Sequence, residues 1–192
     1  LLPRANQPPW ALLDTPPSVH PVLFVHRVNG LEPGIYCLPR TPAALAELRA
    51  ALRPDWLWAP LADCPAHLPL YLLAPLDVRR FAAAVSCHQD IAADSAFALA
   101  MLARFDDIDM AHAWRYRQRF WEAGVLGQVL YLEAEAAGVQ GTGIGCYFDD
   151  EVHRALGVDT ARFQDIYHFT VGRAVVDARL GTAAPYDSRG QA

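Results

Sequence analysis

The sequence predicts a mixed α+β domain, and three stretches carry that prediction. A β-rich run from Pro21 to Val28 is turned back at Asn29-Gly30 into a second run, Ile35 to Leu38. Ala113 to Ala137 keeps helical spacing over about 37 Å at 1.5 Å per residue. Gly141 to Phe148 and Ile166 to Val171 then return to strand character.

Taken in order, residues 1 to 19 contain Pro3, Pro8, Pro9, Pro16 and Pro17, which rules out a helix interior or central strand and predicts an extended arm. After the first two strands, Pro42 follows Thr41 at the first turn of an amphipathic helix over Ala43 to Leu52. Leu70 to Ala74, set between Pro69 and Pro75, reads as a buried strand, and Asp77 to Val85 as a helix. Ser95 to Phe105 is ambiguous: Ala, Leu and Met favour helix, whereas unbroken apolarity suits a central strand. Propensity alone chooses helix.

In the long helix, Trp121, Val125, Val129, Leu132 and Ala136 form one apolar face, and Phe120, Ala123, Gly127, Tyr131 and Ala134 form another. Ala123 to Leu132 carries no charge, so a central helix is expected. Gly124 and Gly127 weaken it, which points to close approach by another backbone. Asp149-Asp150-Glu151 opens a short helix, and residues 181 to 192 read as a second irregular arm. No internal repeat is present.

At 192 residues, the chain has one domain's length and buries roughly 70% of its unfolded surface without help from disulfides or metals. Cys37, Cys64, Cys87 and Cys146 show no short spacing and are expected as reduced thiols of a cytoplasmic protein. All 16 basic residues are arginines, interspersed with acids at a net charge of −5, which argues against a nucleic-acid footprint. No segment approaches the ~20 apolar residues of a membrane span. Leu1 rather than Met opens the chain, as expected of a piece of a longer protein.

Gly141, Gly143 and Gly145 form G-x-G-x-G, but after a helix and within a strand, which is not the dinucleotide fingerprint. Glycines so placed mark close approach of a ligand or of another backbone, and both alternatives stand. Cys64 with His67, and Cys87 with His88, lack a second pair at zinc spacing, so no metal is expected. Trp114-Arg115-Tyr116-Arg117 alone reads as a solvated helix end with an aromatic anchor.

Several segments in order resemble the flavin-dependent nitroreductase superfamily, most closely its azoline-dehydrogenase branch. They are Phe24 to Tyr36, Glu122-Ala123-Gly124 through Gln128, Leu130 to Ala134, Gly143-Ile144-Gly145, and Tyr167 to Arg173. The resemblance implies an α+β fold with a central, mainly antiparallel sheet and a long core helix, assembled as a homodimer with FMN in its interface. It reassigns 95 to 105 as a strand, offers the partner's long helix to the helix glycines, and wraps the arms around the partner. It implies cofactor contacts from Ser18, His20, Gly143, Ile144, Gly145, Cys146 and Arg173, the arginine holding phosphate. Arg115 and Tyr116 stand where relatives carry a catalytic Lys-Tyr pair, and an arginine cannot act as a base. The arginine-rich phosphate segment of relatives, expected before Leu1, is not in this sequence. The implied activity is hydride transfer through flavin N5 with a small-molecule or peptide substrate, with NAD(P)H as a candidate partner. The competing expectation is an inactive binding or dimerisation module of a longer protein, and a third is a flavin-binding enzyme that modifies the flavin or a small cofactor instead of reducing a substrate.

Overall fold

The computed structural model describes residues 1–4, 7–13, 15–62, 64–65, 67–175 and 177–181. The C-terminal arm expected over 181–192 therefore lies, beyond residue 181, outside the described residues.

Among the described residues, seven strands form one sheet: β1 (Val19–Val25), β2 (Gly34–Cys37), β3 (Ala59–Pro60), β4 (Tyr71–Pro75), β5 (Phe97–Arg104), β6 (Gln140–Ile144) and β7 (Phe163–Gly172). Their order is β3-β4-β2-β1-β5-β7-β6, and every pairing is antiparallel. Among the described residues, five α-helices accompany them: α1 (Pro42–Ala51), α2 (Arg79–Val85), α3 (Asp90–Asp94), α4 (Arg115–Ala136) and α5 (Asp149–Leu156). The two-residue β3 and the single-turn α3 are too short for periodicity to show.

β5 is a strand, so the resemblance prevails over propensity. Its alternate residues explain why: Ala98, Ala100 and Leu102 enter one core, whereas Leu99, Met101 and Ala103 enter the other. A strand covered on both faces is apolar throughout, and local preference yields to that burial. α1, α2, α3 and α5 supply buried residues to the first core, and α4 to the second. At β1, Leu38 donates its N–H to the Pro21 carbonyl at 2.9 Å, but proline has no N–H to return. The β1–β2 ladder accordingly stops at Cys37.

α4 is not apolar all round. Its sheet side buries Arg119 and Glu122, while Phe120, Trp121, Tyr131 and Leu132 are exposed. The charges are paired beneath the helix. Glu122 accepts the Ser18 N–H at 3.0 and 3.2 Å and bridges to Arg40, and Arg119 donates to Ser18 Oγ at 2.7 Å, to the Arg104 carbonyl at 2.8 Å and to Asp107. Gly127, expected to meet a partner helix, instead faces this chain's own sheet, where an added Cβ would lie 3.2 Å from the Tyr167 ring. Gly124 has open space. The described part of the N-terminal arm also packs on its own chain: Leu1 and Trp10 lie against the second core, and Arg40 donates to the Leu1 carbonyl at 2.8 Å while sitting 5.0 Å over the Trp10 ring.

The reduced-thiol expectation fails at two positions. Cys87 and Cys146 form a disulfide with a Cα–Cα distance of 5.8 Å, while Cys37 and Cys64 are free. Fifty-nine residues separate the pair, so only the folded sheet brings them together. The reducing compartment inferred from unpaired cysteines loses that support. Among the described residues, no helix is long and apolar enough to cross a membrane.

His20, 2% exposed, accepts the Arg40 N–H at Nδ1, and burial, then Arg40 and Arg104, push its pKa down to about 3. Below the free value of 6.5, the unfolded chain takes a proton that the folded chain refuses until about pH 3. Stability is therefore expected to fall by up to ~1.4 kcal/mol per pH unit across that window. Urea unfolding between pH 7 and 4 checks this, and His20→Asn, which keeps an acceptor for Arg40, should flatten the slope.

Candidate functional site

The edge strand β6 lies beside β7 and under α4, so its glycines can be tested against their surroundings. A Cβ at Gly141 would lie 2.7 Å from the Phe169 ring, and one at Gly143 would overlap the Tyr167 hydroxyl. Both are glycines so that aromatic rings of the same chain can cover them. The Gly143 N–H, which the resemblance aims at a cofactor, donates to Tyr131 Oη at 2.7 Å. Tyr131 in turn meets the Phe169 ring edge-on at 4.8 Å. Burial and the neighbouring Tyr131 raise the Tyr167 phenol. Ile144 is in the core.

Bare main chain begins at the next residue. Gly145 is exposed with nothing within 4 Å of a Cβ, and Cys146 is exposed beside it. The segment is tied to the end of α2 by the disulfide, by Phe148 N–H to the Val85 carbonyl at 2.8 Å, and by Gln89, which donates to the Ser86 and Cys146 carbonyls at 2.8 and 3.2 Å. Beyond it lies a cleft of about 480 Å³, with Phe81, Val85, His88, Phe148 and Asp149 in its lining.

Tyr147 stacks on His168 with centroids 4.6 Å apart. Burial, then the carboxylates of Asp165 and Asp149 and the phenol of Tyr116, push its pKa up to about 12. Beneath Tyr147, His168 joins Ser86 at 3.2 Å and Asp165 at 2.6 Å. Sequence reasoning missed this Ser-His-Asp chain. Its signal was two ionisable residues, Asp165 and His168, inside a run that is mostly buried.

The chain has a structural cause. The β5–β7 register shifts between Ala100 and Leu102, and the Met101 amide freed there donates to Asp165 Oδ1 at 3.2 Å. Ser86 is 1% exposed, so no substrate reaches its hydroxyl. The Asp165 N–H donates to His153 Nε2 at 2.8 Å, which leaves the neutral ring's proton on Nδ1, facing Asp150 at 3.8 Å. Asp149, Asp150 and His153 cluster at metal-like spacing, but a protonated Nδ1 has no lone pair for an ion.

The remaining sequence candidates separate. Ser18 and His20 are buried in the network under α4 and do not line the open segment. Arg115 donates to the Asp107 carbonyl at 2.9 Å and to its carboxylate at 3.3 Å. Tyr116 is exposed, its ring against Phe105 and Phe120 at 6.0 and 5.1 Å. Arg173 is exposed at the other end of β6, in a groove of about 440 Å³ that Ser95, Gln140, Thr142 and Thr170 also line.

No protein-family model and no curated protein matches this sequence. Solved structures share its fold. A protein of Anabaena variabilis assigned as a nitroreductase superposes with a TM-score of 0.60 at 24% identity, over 82% of this chain and 27% of that chain. The E. coli microcin synthetase McbBCD complex with truncated pro-MccB17 bound gives 0.55 at 16% identity, over 83% and 53%. A second protein assigned as a nitroreductase, from Ralstonia eutropha, gives 0.55 at 16%, over 84% and 60%. The chain has a nitroreductase-like fold and spans less than two thirds of each of these chains.

Two glycine substitutions should behave oppositely. Gly143→Ala, forced into Tyr167, is expected to lose roughly 1–3 kcal/mol, whereas Gly145→Ala stays within ~0.5 kcal/mol of the parent. Thermal unfolding of the two variants side by side reads the difference.

Proposed function

We propose that this chain binds FMN and belongs to an oxidoreductase acting on a small-molecule or peptide substrate. The observation that carries the proposal is the bare, exposed main chain at Gly145–Cys146, at the end of an edge strand in a nitroreductase-like fold. The residues present fit the two ends of such a cofactor. Gly145 offers a planar ring a surface without side chains, and Arg173, among hydroxyls and an amide at the far end of β6, offers a phosphate a two-pronged donor. From Gln140 to Cys146 is six residue steps, roughly 20 Å of extended chain. Ser18, His20 and the Gly143 amide leave the contact set, because each is engaged inside the chain.

FMN, when bound, supplies two-electron hydride chemistry at N5, which separates the donor and acceptor half-reactions. Tyr116, exposed at the start of α4, holds or releases a proton at its phenol oxygen. An arginine does not serve as a base, so Arg115, braced by Asp107, orients a negative group instead of abstracting a proton. The outer face of α4, with Trp121, Leu132 and the open Gly124, suits a second copy of the chain, which would exclude water from the ring. The truncated pro-MccB17 bound in the E. coli complex supports a peptide as one substrate class; with a small-molecule substrate, NAD(P)H is the proposed donor.

A second reading, a binding module without turnover, is favoured by the internal use of Ser18 and His20 and by the brace on Arg115. Titration with FMN separates the two. The proposal expects a yellow complex with quenched flavin fluorescence, and at least tenfold weaker binding in Arg173→Ala. A folded chain that leaves FMN fluorescence unchanged favours the module.

A further inference from the structure

We infer that the Cys87–Cys146 disulfide is a thiol–disulfide exchange site whose substrate is a dithiol. The inference does not rest on FMN binding and concerns the chain without FMN, because a ring lying on Gly145–Cys146 would cover the attacked residue. Its two sulfurs belong to unequal surroundings: Cys146 is exposed directly after the open Gly145, whereas Cys87 is half-buried at the end of α2. The cleft of about 480 Å³ is lined by Val85 and His88, two residues before and one residue after Cys87, and by Phe148, two residues after Cys146; neither cysteine is itself in its lining. A thiol carrier therefore meets an exposed Cys146 and a cleft lined by near neighbours of both cysteines.

A purely stabilising role explains the pair less well. The sheet has a full core on each face, and a chain of this size folds without cross-links. The bridge sits at the surface, where disulfides are the labile ones. Cys87 and His88 both have positive φ, +54° and +58°, a left-handed conformation that side chains with a Cβ disfavour. Two consecutive residues of this kind, beside a solvent-facing bridge, are a feature found where backbone is held for use. The hydrogen bonds from Gln89 and Phe148 keep the two segments adjacent when the bridge opens, so the pair can close again.

The exchange runs in two displacements. A thiolate of the dithiol attacks Cys146 Sγ in line with the S–S bond; a sulfur–sulfur bond forms between them, and Cys87 leaves as a thiolate and takes a proton from solvent. The second thiolate of the same molecule then attacks its own sulfur in the mixed disulfide and expels the Cys146 thiolate, which takes a second proton. Two electrons pass to the protein pair, and the dithiol becomes a disulfide.

The test uses the intact chain purified without reductant. Dithiothreitol is added without denaturant, aliquots are quenched with iodoacetamide, and labelled cysteines are mapped by mass spectrometry, with hydrogen exchange of the β5 amides giving the rate of global opening. Labelling of Cys87 and Cys146 is expected at least 100-fold faster than that opening, with the buried Cys37 unlabelled. Labelling of the pair no faster than global opening overturns the inference. A single-thiol probe, cysteamine, fixes the direction: the mixed disulfide is expected on Cys146 with Cys87 alkylated, in at least tenfold excess over the reverse. An equal or inverted distribution contradicts the assignment of Cys146 as the attacked sulfur.

Discussion

Glu122 lies on the sheet side of α4 with its carboxylate out of water, and its partners come from distant sequence: the Ser18 amide and the Arg40 guanidinium are 104 and 82 residues away. A buried charge is tolerated only when paired and hydrogen-bonded, and removing one member costs on the order of 3–5 kcal/mol. Arg119, one turn earlier, is bound to Ser18, Arg104 and Asp107 in the same way. These contacts fix both the height and the rotation of α4 on the sheet. Its aromatic residues Phe120, Trp121 and Tyr131 consequently point outward or toward β6.

That placement divides β6 into two kinds of main chain. Toward its middle, Tyr131 from α4 and Tyr167 and Phe169 from β7 close over Gly141 and Gly143 and take the Gly143 amide. Beyond Ile144 the helix no longer covers the strand, and Gly145 and Cys146 are left open. The bulge at Met101 sets the level of the layer below. Asp165 answers the freed amide, His168 and Ser86 answer Asp165, and Tyr147 lies flat on His168 as a lid between this polar chain and the open segment.

The elements were legible where one physical signal dominated. Thr41 before Pro42 marked α1, and the Thr41 hydroxyl does accept the Ala44 N–H at 3.2 Å. Ser95 to Phe105 misled local propensity because central burial on two faces is a property of the sheet, not of the segment. α4 looked central because its outward face is as apolar as a core face, and spacing cannot tell which side meets the sheet. Gly127 did mark a close approach, but to Tyr167 of its own chain. At the proposed site, order and residue type singled out Gly145 and Arg173, and both are exposed. The Cys87–Cys146 bridge, the Met101–Asp165 contact and the covering of Gly143 could not, since each depends on residues brought together only by register and packing.

The account rests on the outer face of α4 and the open end of β6 forming one shared site between two chains. Sedimentation velocity of the chain with FMN, recorded in the flavin's visible absorption band, addresses both parts at once. The account predicts flavin absorbance moving with the mass of two chains. Flavin that moves with a single chain, or stays unbound while the protein sediments without it, contradicts it.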